Sequence, residues 1–226
     1  MNISDNGGAM HFHFLIEDPS GKELIEKIME KIVKDNPQTT YYCKGYRGIG
    51  GFTKKNTVKE TKDGKLLNDL TTVLRGLNKS LQGITAAIII VLDNDDRDTE
   101  TFRSQLENVA MQNRITMDHV FCIAVEEMEA WLLGDESAVI AAYPRARIGV
   151  LHSYEQDSIC GTWEKLAEAV YPGGLTRLNK DCSSYMEIGT QKCEWARNIG
   201  EYMDLDNNCS PSFNYFMNEI RKRLCA

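Results

Sequence analysis

Apolar positions along the chain follow two patterns. Four short runs, "HFHFLIE" (11–17), "TTYYCKG" (39–45), "AAIIIVL" (86–92) and "HVFCIAV" (119–125), are rich in β-branched and aromatic residues and have the length of strands. Between them, apolar residues recur every three or four positions. Leu24, Ile25, Ile28, Met29, Ile32 and Val33 form one such set. Leu67, Leu70, Val73, Leu74, Leu77 and Leu81 form a second, and Phe102, Leu106, Val109 and Ala110 a third. These spacings predict amphipathic helices. "EEMEAWLLG" (126–134) turns straight from the fourth strand into another helix. Strand and helix alternate, which predicts an α/β fold with a parallel sheet flanked by helices. Sites in such folds form at the carboxyl ends of the strands. The first helix has two competing starts: Asp18 before Pro19, and a capping box of Ser20 with Glu23.

Beyond about residue 145 the strand pattern stops. Segments 162–171, 192–203 and 210–224 read as helices, the last capped by Ser210 with Pro211 in its first turn. The expected organisation is a flexible N-terminus over 1–10, with Met10 as an alternative start, an α/β core over 11–145, and a helical C-terminal extension over 146–226 packed on that core.

Composition narrows the class. Of 226 residues, 42% are hydrophobic and 26% charged, which is ordinary for a globular protein. No apolar run is long enough to cross a membrane, and "MNISDNGGAM" lacks the plan of a secretory signal, so a cytoplasmic location is expected. Seven scattered cysteines with no C-x-x-C pair read as free thiols, mostly filling the core, and argue against zinc. The net charge of −7 argues against a dedicated nucleic-acid coat. Yet Lys44, Arg47, Lys54, Lys55, Lys59, Lys62, Lys65, Arg75 and Lys79 make one region locally basic. The glycine-rich "GYRGIGG" within it lacks the lysine-serine ending of a P-loop and reads as a flexible loop. His11 and His13 share a side of the first strand, too far back from its carboxyl end to join a site there. Trp131 reads as core, and the basic triplet 221–223 as the favoured end of a helix.

The acids carry the chemistry. Glu17 and Asp18 follow the first strand, Asp93, Asp95, Asp96 and Asp98 the third, and Glu126, Glu127 and Glu129 the fourth. A parallel sheet brings all three groups to one rim. Clustered carboxylates there raise one another's pKa or recruit a cation. All-oxygen ligands select a hard ion such as Mg²⁺ or Mn²⁺. Alternation places Asp93 and Asp95 on one side if the backbone stays extended, and leaves Asp96 free to cap the next helix. Glu126 and Glu129, three apart, would share a helical face.

An acid closing the first strand and D-x-D closing a later one resemble the Toprim domain of topoisomerases, primases and OLD-type nucleases. "IAVEEMEAWLLGD" (123–135) with "SPSF" (210–213) resembles, more specifically, a bacterial Toprim-like family known as domain of unknown function 4276, whose members are often encoded beside AAA-type ATPases. The resemblance implies a Toprim/Rossmann-like sheet and a Mg²⁺-dependent phosphodiester site. Glu17 would be a general acid or base, or a metal ligand, and Asp93 and Asp95 would hold the metal. Glu126 would be the extra ligand, with Glu127 or Glu129 as rivals. Lys44, with Arg47, Lys54 and Lys55, would hold nucleic acid. One departure stands out: the family pattern E-G-x-T/S-E becomes "EDPSGKE" here.

The leading expectation is a metal-dependent phosphodiesterase or nuclease, working with an AAA-type ATPase in phage defence or DNA processing. Two alternatives stand beside it: a catalytically silent module binding a metal or a protein, and a haloacid-dehalogenase-like phosphatase with Asp93 as nucleophile. The sequence leaves the oligomeric state open.

Overall fold

The computed structural model describes residues 9–51 and 65–225. The proposed flexible N-terminus (except residues 9 and 10) and the lysines at 54, 55, 59 and 62 lie outside the described residues. Strands β1 (His11–Ile16), β2 (Thr40–Gly45), β3 (Ala86–Asp93) and β4 (Asp118–Ala124) form one parallel sheet in the order β2-β1-β3-β4. Helices α1 (Pro19–Asp35), α2 (Leu66–Ser80) and α3 (Thr99–Gln112) connect them. The rest is helical: α4 (Glu129–Leu133), α5 (Glu136–Ala142), α6 (Ile148–Leu151), α7 (Thr162–Val170), α8 (Gly174–Asp181), α9 (Tyr185–Tyr202) and α10 (Pro211–Leu224). No described helix is long and apolar enough to cross a membrane.

The pleat divides the core in two. Phe12, Phe14, Ile89, Val91 and Cys122 face a cluster built with α1, α4, α7, α9 and α10. Leu15, Ile88, Ile90, Leu92 and Phe121 face a smaller one built with α2 and α3. Every residue of β3 is buried, which explains its unbroken apolar run: a central parallel strand has no wet face.

The C-terminal helices complete the larger core. The Trp131 ring stacks on Phe216 with centroids 5.0 Å apart, and Phe216 reaches Phe14 on β1. Trp131 is fully buried as expected, and its Nε1 donates to Ser212 Oγ at 2.9 Å. The Asp157 carboxylate accepts from Ser212 N and Ser210 Oγ, both at 2.7 Å, and so fixes the start of α10. Asn208 Nδ2 donates to the Trp131 carbonyl at 2.8 Å, pinning that segment to α4.

Some local expectations are corrected. Of the two starts for α1, Asp18 is the cap, accepting Gly21 N–H at 2.7 Å, and Pro19 opens the first turn. Asp98, not Asp96, caps α3. A capping box does exist, at Ser184 and Glu187 of α9. The cysteines are all free, but only Cys43 and Cys122 are buried, so most are not core filler. Arg223 of the basic triplet pairs with Asp118 on β4 and Glu219 on its own helix.

Gly134 is glycine for space alone, because its φ of −68° suits any residue. A Cβ there would collide with the Asn208 side chain and lie 2.9 Å from Ser210 Cβ. Gly76, inside α2, faces open space. Gly134→Ala is therefore expected to destabilise the protein by about 1–3 kcal/mol through overpacking. Gly76→Ala should stabilise it by up to about 1 kcal/mol through helix propensity. Paired denaturant titrations check both signs.

Candidate functional site

Parallel register delivers the acids to one rim. Glu17 follows β1 directly, its N–H bonded to Val91 O at 3.0 Å, and its Oε2 accepts Asp93 N–H at 2.9 Å. Glu17 thus reaches across to the last residue of β3. The turn into α1 is tight: a Cβ on Gly21 would lie 2.9 Å from both Asp18 Oδ1 and Ile16 Cγ2. Gly21, four residues after Glu17, allows that close approach.

Both carboxyl groups are poorly solvated. Burial pushes Glu17 up to about 8, against the Asp93 N–H bond, with repulsion from Asp18 and Asp95 adding to it. Asp93 is only 9% exposed. Burial, and then the charges of Glu17 and Asp18, hold it well above the ordinary aspartate range.

Asp95 does not follow Asp93 by strand alternation. β3 ends at Asp93, and Asp95 has a left-handed φ of 51°. Its carboxylate pairs with Arg97 at 2.5 Å, although its charge still reaches Glu17. Asn94 holds this loop in place. Its Oδ1 accepts Glu126 N–H at 2.5 Å, and its Nδ2 donates to Arg97 O and Thr99 Oγ1. Asp96 is exposed.

The glutamates after β4 separate. Glu126 has φ 60°, lies outside α4, and does not share a helical face with Glu129. Its carboxylate accepts the N–H groups of Cys160, Gly161 and Thr162 at 2.8–3.1 Å and the Thr162 hydroxyl. Burial opposes its charge, but these bonds outweigh it and lower the pKa. Glu127 and Glu129 instead turn to Lys192 of α9, 3.4 and 3.2 Å away. Burial raises Glu127 to about 7 and also raises Glu129, with Lys192 opposing both shifts. Burial works against the Lys192 ammonium too, but Glu129, Glu127, Asp93 and Asp18 outweigh it and keep it charged. One ammonium does not neutralise the four carboxylates that act on it. The sequence gives no hint of Lys192, since a lysine in an amphipathic helix usually faces water.

The glycine-rich loop borders the same rim. Gly48 N–H donates to Glu17 O at 2.9 Å, and Gly48 and Gly50 have φ of 100° and 73°. Lys44 lies over the Tyr46 ring at 4.7 Å, and Arg47 is exposed. His11 bonds Thr40 Oγ1, and burial, His11 and Lys44 lower His13 to about 4. Among the described residues, no three histidine, cysteine, aspartate or glutamate side chains are gathered as a ready metal cage.

The Glu17 shift has a definite sign. A carboxyl whose folded pKa is raised stabilises the fold fully below its unfolded value near 4.5, and that contribution is lost as pH rises through about 8. In chelator, the melting temperature should fall between pH 5 and 8.5. Glu17→Gln, which keeps an acceptor for Asp93 N–H, should fall less. Thermal unfolding of the two proteins across that range measures the difference, and equal slopes would show that Glu17 is not held protonated.

The model of the family described as domain of unknown function (DUF4276) matches residues 16–221. No curated protein matches the chain, and no solved structure does. The match takes in the strand ends, the carboxylates around Lys192 and nearly all of α10, and on that extent the chain belongs to the DUF4276 family.

Proposed function

We propose that the chain is a Toprim-like, metal-dependent phosphodiesterase acting on nucleic acid. The observation that carries this reading is the bond from Asp93 N–H to the Glu17 carboxylate at the carboxyl rim of a parallel sheet, where burial disfavours the charge on both side chains and Glu17 further raises Asp93. Two such carboxylates need a counter-charge. Mg²⁺ suits them, because it is usually held by one or two carboxylates plus water and substrate phosphate rather than by an all-protein cage. Asp93, with Glu17, would hold the ion, and Glu129, whose charge reaches Asp93, or Glu127 would be a further donor, with Asp95 beside Glu17. Bound there, Mg²⁺ or Mn²⁺ would supply positive charge to a phosphoryl oxygen and lower the pKa of water.

The chain's own groups have separate tasks in this reading. Glu17 has two alternative tasks: to hold the ion beside Asp93, or, with the ion on the other acids, to use its raised carboxyl as a general acid–base, giving a proton to the leaving oxygen or taking one from water. Arg47 and Lys44, beside the loop that bonds Glu17 O, would hold the strand's phosphates. Lys54 and Lys55 would extend that contact. Glu126 stays with α7 as an anchor. Co-operation with an AAA-type ATPase in phage defence or DNA processing comes from the resemblance alone.

A specific observation favours the silent-module alternative: Lys192 already sits among these acids as a cation. Metal-dependent turnover separates the two readings. The purified chain should cleave plasmid, single-stranded DNA or RNA with Mg²⁺ or Mn²⁺. Asp93→Asn should lower the rate at least about 100-fold, the scale of losing a principal electrostatic group. Glu126→Gln should instead reduce stability by about 1–3 kcal/mol, since it weakens bonds to a charged acceptor, and leave the rate within a few-fold. A wild-type chain that cleaves none of the three substrates overturns the phosphodiesterase reading, and one that also fails to bind Mn²⁺ removes the metal site with it.

A further inference from the structure

Lys192 is a cation that the structure adds to the carboxylate rim. It enters from α9, far along the chain from the strand ends, with its side chain 15% exposed. Its Nζ stands 3.2 Å from Glu129 Oε2 and 3.4 Å from Glu127 Oε2, with Asp93 and Asp18 the next charges acting on it. Glu129 is 1% exposed, and its Oε2 accepts no hydrogen bond, so the ammonium meets that oxygen as a charge and not as an aligned donor. A buried carboxylate oxygen served only by a nearby point charge would be better served by a doubly charged ion, which needs no donor alignment.

We propose that Lys192 is the resident counter-ion of this carboxylate cluster, and that a divalent cation enters by displacing its ammonium. The proposal rests on the reading of the rim as a metal site. Both cations draw on the same negative charge, and at such separations they repel each other strongly in a poorly solvated place. They exchange more readily than they coexist. The exchange needs no movement of the helix. Trp195, Ala196, Ile199 and Gly200 bury α9 further along, and a Cβ on Gly200 would lie 3.1 Å from Lys27 Cβ of α1. The flexible lysine stem can carry the ammonium outward while the helix stays in place.

Two measurements on the full chain test this, with Mn²⁺ as the probe. The first is calorimetric titration of the chelator-treated wild type, Lys192→Gln and Lys192→Arg. Removing the charge should tighten Mn²⁺ binding at least about tenfold, while Lys192→Arg should stay close to wild type. The second needs no variant and decides the matter if Lys192→Gln fails to fold. Amine-reactive labelling read by mass spectrometry should show Lys192 shielded without metal and several-fold more reactive with Mn²⁺, relative to the exposed Lys222. Equal or weaker Mn²⁺ binding by Lys192→Gln overturns the displacement while leaving the metal site standing. So does unchanged labelling in a wild type that binds Mn²⁺. If no protein binds Mn²⁺, the metal reading fails and the displacement fails with it.

Discussion

A carboxylate carried into a dry interior needs a counter-charge, and that constraint organises the rim of this protein. β3 is buried along its whole length and ends in Asp93. A strand without a wet face cannot leave its terminal acid fully in water. The surrounding parts answer this need. Glu17 ties itself to the Asp93 backbone, and α9 lowers an ammonium into the acids. Burial raises the pKa of both Glu17 and Asp93, which disfavours a full set of charges there. The arrangement gathers more negative charge than the single Lys192 ammonium can balance.

The helices after β4 belong to the same constraint. They cover the larger sheet face through Trp131, Phe213 and Phe216. They also supply Lys192 and the N–H groups that hold Glu126. Removing them would expose an apolar face and strip the acids of their nearest cation together.

Much of the architecture was legible in the sequence because it is written in local periodicity. The four strands and three connecting helices follow from unbroken or three-and-four apolar spacing, and parallel order then gathers Glu17, Asp93 and the 126–129 acids at one rim. Short helices carry too few turns to show a period, so α5, α6 and α8 were not foreseen. The detailed site depends on distant partners. Asp95 leaves the strand alternation because its backbone becomes left-handed. Glu126 is captured by N–H groups from the start of α7. Lys192 gains its meaning only from acids more than sixty residues earlier. No window of neighbouring residues contains that information.

The loop between β4 and α4 is gripped at two points. Asn94 holds the Glu126 backbone, and the first turn of α7 holds its carboxylate. Asn94 is itself fastened to Arg97 and Thr99. The start of α7 and the aspartate loop are thus moored to one another through a single residue, Glu126, by its carboxylate on one side and its backbone on the other.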